Sequence, residues 1–129
     1  MKFARVVFLV AGIYGLIVLL PQYFLEAKVG LDSPPPITHP EFYYGFIGVA
    51  VAWQVGFLIL STDPVRYRPL MLAGVLEKIG FPIAVAALYL QHRVAGVILF
   101  PAGLDLILLV LFLVAYVKTS ELKTNRKSV

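Results

Sequence analysis

The sequence predicts an all-α fold: a four-helix transmembrane bundle built from a single domain over residues 1–129. Three observations carry this expectation. Hydrophobic residues make up 60% of the chain and charged residues only 14%, against about 45–50% and about 25% in ordinary soluble domains. The apolar residues gather in four long runs, each close to the ~20 residues that cross a bilayer at about 1.5 Å rise per residue. Most charges lie between and beyond these runs, as membrane topology requires.

The first run, Val6 to Leu25, follows Lys2 and Arg5 and predicts a helix over about 3–25. A signal peptide has a shorter apolar core of about 7–15 residues and a small-x-small cleavage site. Leu25-Glu26-Ala27 lacks the first small residue, so a retained helix is expected, with Pro21 bending its far end. Residues 26–40 form the longest loop, stiffened by Pro34-Pro35-Pro36, which favour an extended chain. Thr38 and Glu41 have capping-box spacing and predict the start of a second helix over about 41–61. Phe42, Tyr43, Tyr44 and Phe46 form an aromatic belt at its start, suited to the membrane interface. Gly48, Ala52 and Gly56 recur every fourth residue, a small-residue stripe expected to lie against another helix.

Asp63-Pro64 supplies a cap and a first helical position. A third helix is expected over about 69–90 and, after the turn Gln91-His92-Arg93, a fourth over about 94–117. The basic segment 118–129 is expected to fray as a tail. Eight cations fall on one side of this topology: Lys2, Arg5, Arg66, Arg68, Lys118, Lys123, Arg126 and Lys127. Only Lys28 and Arg93 fall on the other. The positive-inside rule then puts both termini in the cytoplasm.

An intramembrane polar set stands out from this background. Counting along the helices puts Glu77, Lys78, Gln54 and Tyr14 roughly 9–12 Å below the cationic edge and Asp105 about 18 Å below it. Ala73, Glu77, Gly80, Ala84 and Ala87 share one side of the third helix, which points Glu77 into a helix interface. Neighbours along a helix do not face each other, so Lys78 is expected to pair with Asp105 on the next helix rather than with Glu77. That leaves Gln54 or Tyr14 for Glu77, and a surplus carboxyl. Intramembrane ionisable groups are costly and mark functional sites by default, while interhelical polar bonds also serve as structural glue.

Other chemistries find less support. The chain has no cysteine, which removes disulfides, thiolate metal sites and cysteine nucleophiles. His39 and His92 stand alone at helix ends, so no metal site is predicted, and no motif calls for a cofactor. Ser61 and Ser120 lack a His/Asp arrangement. The net charge of +4 sits at the termini and one loop, a pattern that serves topology and not nucleic acid. Arg66 and Arg68 are candidates for anionic lipid head groups.

The segments His39-Pro40-Glu41-Phe42-Tyr43-Tyr44-Gly45-Phe46, Asp63-Pro64-Val65-Arg66-Tyr67-Arg68-Pro69 and Leu76-Glu77-Lys78, with Asp105, resemble small bacterial membrane proteins of four helices. In size and helix count the chain is also similar to DoxX-like proteins. The resemblance implies a bacterial inner-membrane, multi-pass location and supplies no activity. The expected function is a non-enzymatic membrane protein, an accessory subunit or homo-oligomer whose partners are the lipid bilayer and other membrane chains. The alternative is a small proton-coupled carrier using the intramembrane carboxylates.

Overall fold

In the computed structural model, which describes residues 1–128, four long helices carry nearly all of the chain and no strand occurs among the described residues. Helix α1 spans Lys2–Leu19 and continues as a 3-10 turn over Leu20–Phe24. Pro21 has no N–H to donate to the turn before it, so the α-helical ladder ends there. A short helix α2, Glu26–Asp32, follows, then α3 over Pro40–Thr62, α4 over Leu70–Leu90 and α5 over Leu99–Lys127. The four long helices are long and apolar enough to cross a membrane. The chain is a multi-pass membrane protein.

Several boundaries differ from expectation, each for a local reason. The 26–40 loop contains α2, where Glu26 favours the helix start and Lys28 pairs with Asp32 one turn on. Thr38 does not cap α3. Pro40 occupies the first helical position, so His39 is the cap residue, without a side-chain cap bond, and Glu41 stands 3.4 Å from His39 Nδ1 instead. Helix α5 begins at Leu99, not near 94, because α4 ends in a tight stop. His92 takes a left-handed conformation with φ 57°. The N–H groups of His92 and Arg93 then return to the carbonyls of Tyr89 and Leu88 at 3.0 and 2.8 Å, the Schellman pattern.

The expected frayed tail is helical as far as Lys127. Arg126 reaches Asp63 at 3.5 Å, and Arg126 and Lys127 complement the dipole in the last turn. Val129 lies outside the described residues.

Helix α1 packs along α3 and also touches α5, while α4 packs along α5; α3 and α4 scarcely meet. The close α1–α3 approach depends on glycines of α1. A Cβ at Gly12 would stand 2.9 Å from the Gln54 backbone oxygen and 2.7 Å from Leu58 Cδ2, and one at Gly15 would overlap the Gln54 side chain. The expected stripe on α3 does not serve this contact. Ala52 is exposed, Gly56 meets nothing within 4 Å and Gly48 meets only the Tyr23 hydroxyl, at 3.6 Å. Helix α3 instead buries Ile47, Ala50, Gln54, Phe57 and Leu60. That face carries the bulky side chains, and α1 supplies the small ones.

The core is aromatic. Phe8, Phe57 and Phe112 join α1, α3 and α5, with ring centroids 4.4 Å apart for Phe8 and Phe112 and 5.0 Å for Phe57 and Phe112. Gly74 of α4 fits beside them, 3.1 Å from the Phe57 ring at the position a Cβ would take. At one end of the bundle Arg68 Nε donates to the Tyr116 carbonyl at 3.0 Å and its guanidinium lies 3.7 Å over the Tyr116 ring. Lys118 lies 4.4 Å over Phe3. The cationic N-terminus, the 61–69 turn and the C-terminal part of α5 therefore share one end. At the other end the Tyr43 hydroxyl donates to the Gln22 carbonyl at 2.6 Å and Tyr44 to Glu26 Oε2 at 2.8 Å. These two tyrosines fasten α3 to the α1–α2 junction, beyond a purely interfacial role.

Two tests follow from this packing. Gly12→Val should lower the thermal midpoint in detergent, with overpacking costing about 1–3 kcal/mol, whereas Ala52→Leu should leave it unchanged. The reverse ranking would place the α3 stripe in the core. The second concerns Asp63, whose Oδ1 accepts the Arg66 backbone N–H at 3.2 Å. That bond, with the Arg126 and Arg5 charges, holds its carboxyl below the ordinary value of 3.8. A depressed carboxyl stabilises the fold above its unfolded value and loses this effect as pH falls through the folded one. Wild type and Asp63→Asn should therefore differ in thermal midpoint at neutral pH and converge in acid.

Candidate functional site

Because α3 and α4 hardly touch, the α1/α3 pair and the α4/α5 pair border a half-open cavity of about 870 Å³, within the size range of small-molecule sites. It runs from Gln22, Phe46 and Ile98 near the tyrosine-fastened end down to Glu77, Lys78 and Asp105. Beyond them the Phe8–Phe57–Phe112 core closes the way to the cationic end. The walls are apolar and aromatic, with Trp53 of α3 and Phe81 of α4.

At the floor, Lys78 Nζ lies 3.7 Å from Asp105 Oδ1 and 3.4 Å from Glu77 Oε2. The Lys78 side chain is 6% exposed, and those of Glu77 and Asp105 are each 20% exposed. Nζ also lies 5.5 Å from the centroid of the buried Phe57 ring, within cation–π reach. Lys78 and Asp105 thus come together across α4 and α5. The expectation that Glu77 and Lys78 avoid each other is overturned. The helix rotates them apart at Cα, but the flexible stem of lysine returns its amine between the two carboxyls.

The buried face of α4 is Met71, Gly74, Lys78, Pro82 and Val85. Gly80, Ala84 and Ala87 of the expected interface stripe are exposed. Glu77 therefore borders a cavity and not a helix contact. Gln54 and Tyr14 line the same cavity, yet neither hydrogen-bonds Glu77. Gln54, 1% exposed, donates from Nε2 to its own helix at the Ala50 carbonyl, 2.9 Å. Its Oε1 and Glu77 Oε2 are buried acceptors without a hydrogen-bond partner.

Arg66 and Arg68 lie apart from this site, at the cationic end. Arg68 is engaged by Tyr116, which leaves Arg66 as the exposed member of the pair. Among the described residues no group of three His, Cys, Asp or Glu is placed to hold a metal ion.

Three contributors were missed from sequence. Trp53 and Phe81 read as ordinary apolar residues, since nothing in a single helix shows which face meets a void. Pro82 had a readable signal, its position four residues after Lys78. It has no N–H, so the Lys78 carbonyl loses its α-helical donor, adding an acceptor at the level of the ion cluster. Comparison with family models, curated proteins and solved structures yields no match.

Removing one member of a buried ion cluster strands the others, at about 3–5 kcal/mol. Lys78→Met leaves two facing carboxyls and should be the most damaging single change, measured as loss of folded yield and thermal midpoint. Asp105→Asn should cost less, because Glu77 remains for Lys78. The double change Lys78→Met/Asp105→Leu should recover part of the loss. A double change that costs as much as the two single changes summed would show that the groups act independently.

Proposed function

We propose that this chain is a small carrier of the bacterial inner membrane, with both termini cytoplasmic. In this reading it takes a lipophilic molecule into its intramembrane cavity and exchanges it against a proton on Glu77 and Asp105. The observation that carries the reading is the coincidence of a cavity of about 870 Å³ with an ion cluster of unequal charge at its floor. Polar glue alone needs neither the void nor the surplus carboxyl. The clustering of cationic segments at one end of the bundle supports the orientation through the positive-inside rule. The resemblance to small bacterial four-helix membrane proteins supports the location.

No nucleophile, metal set or cofactor motif favours an enzyme. The accessory-subunit or homo-oligomer reading keeps one specific support: Lys78 bonds α4 to α5 through Asp105, which is what structural glue does. Native mass spectrometry of the gently extracted protein separates the two. The carrier reading expects a co-purifying small molecule, lost in Ala84→Trp, where the added ring would occupy the cavity wall. A stoichiometric protein partner with no small molecule, unchanged by that substitution, would favour the accessory subunit.

A further inference from the structure

We infer that the cavity is built for a lipophilic monovalent cation, an organic ammonium or phosphonium with an apolar or aromatic body. This deepens the carrier reading and rests on it. The first argument is which charge an entering molecule meets. The Lys78 amine is recessed at 6% exposure towards Phe57, while the carboxyl side chains of Glu77 and Asp105 keep 20% exposure each. One Glu77 oxygen, Oε2, is the buried one beside Lys78, so the exposed part of that side chain belongs to the rest of the group. An entering molecule therefore meets the Glu77 and Asp105 side chains before the Lys78 ammonium.

The second argument is charge balance. Two carboxylates face one ammonium, and Lys78 neutralises only one of them. The titratable groups bordering the site are Tyr14 from α1, Glu77 and Lys78 from α4 and Asp105 from α5; α3 contributes Gln54 and no titratable side chain. In a low-dielectric site an uncompensated charge is costly. Either one proton or one monovalent cation completes neutrality, and the arrival of the cation releases the proton to solvent. A dication would overshoot, and an anion would add to the surplus.

The third argument is the wall. Trp53, Phe81 and Phe46 line the cavity together with the carboxyls, and aromatic faces attract cations. The uncharged polar groups of the lining include the donors Tyr14 and Trp53 as well as acceptors. Gln54 is 1% exposed, with its unpartnered Oε1 turned against Gly15 of α1, and the Lys78 carbonyl lacks its helical donor because of Pro82. The site's charged donor, Lys78, already lies between two carboxyls, so the charge left for a ligand to match is negative.

Trp53 is the chain's one tryptophan and reports directly from the cavity wall. Tetraphenylphosphonium and tetraphenylborate share a shape and differ in charge sign, so titrating each into the detergent-solubilised protein isolates the charge. The expected result is saturable quenching of Trp53 by the phosphonium, with one proton released per cation bound in weakly buffered solution. Glu77→Gln/Asp105→Asn should weaken it by roughly tenfold or more, equivalent to about 1.4 kcal/mol. Glu77→Gln alone, which removes the surplus charge, should abolish proton release; its circular dichroism verifies folding. Saturable binding of the borate with equal or higher affinity would overturn the cation assignment while leaving a ligand cavity in place. Saturation by neither probe would overturn both the assignment and the carrier reading.

Discussion

Within a bilayer no water reaches the hydrocarbon to neutralise a stranded charge, so Lys78 must find its partners inside the protein. It finds Asp105 at 3.7 Å and Glu77 at 3.4 Å, and much of the bundle follows from that. Helices α4 and α5 are bound in register at mid-membrane by one side chain. Gly74, one turn below Lys78, lets α4 close onto the aromatic core. The face of α4 that carries Lys78 is its buried face, which turns Glu77 towards the space between the helix pairs. An alanine at Lys78 would leave no reason for two carboxyls to share this layer.

The cavity has a second cause, on the other side of the bundle. Gly12 and Gly15 bring α1 so close to α3 that Gln54 packs directly against Gly15. The tight pairs α1/α3 and α4/α5 are joined mainly where α1 meets α5 and where Phe8, Phe57 and Phe112 interlock. Above that lock nothing draws α3 towards α4, and a void remains. The molecule is thus closed at its cationic end, where Arg68, Lys118 and Arg126 each hold a partner. It is open in the half that the tyrosine hydroxyls fasten only between α3 and the α1–α2 junction.

The four spans were legible because the bilayer imposes one length and one composition on any crossing helix. Tyr14, Gln54, Glu77, Lys78 and Asp105 line one cavity, a grouping expected from rise per residue, which converts position into depth. Facing was not legible. Small residues at a spacing of four lie on α3 at Gly48, Ala52 and Gly56 and on α1 at Ala11 and Gly15, with Gly12 beside them. Only the partner surface decides which set is used. Lipid is as apolar as a helix interface, so an exposed glycine stripe carries no hydropathic penalty to betray it. The same indifference hid the cavity: Trp53 and Phe81 suit lipid, core and binding wall alike. The Glu77–Lys78 contact was missed because helix geometry fixes Cα directions, while a lysine stem is long enough to override them.

If the chain is a carrier as proposed, the arrangement would constrain its cycle. The ion cluster ends the cavity, and the three phenylalanines beyond it are the barrier to the cationic end. Passage to that side requires these rings to separate, which means moving the α1/α3 pair relative to the α4/α5 pair. Lys78 is the natural link between the charge state of the floor and that barrier. Its amine touches the two carboxyls and lies 5.5 Å over Phe57, one of the three rings. Any change in what the carboxyls hold alters the pull on an amine that also attracts the lock. A neutral floor, with its surplus charge matched by proton or cation, removes the electrostatic cost of exposing Lys78 to the other side. An unmatched floor would retain that cost and, in the proposed cycle, keep the barrier shut. Under that proposal, coupling between ligand and proton would need no further residue, because the same surplus carboxyl would determine both.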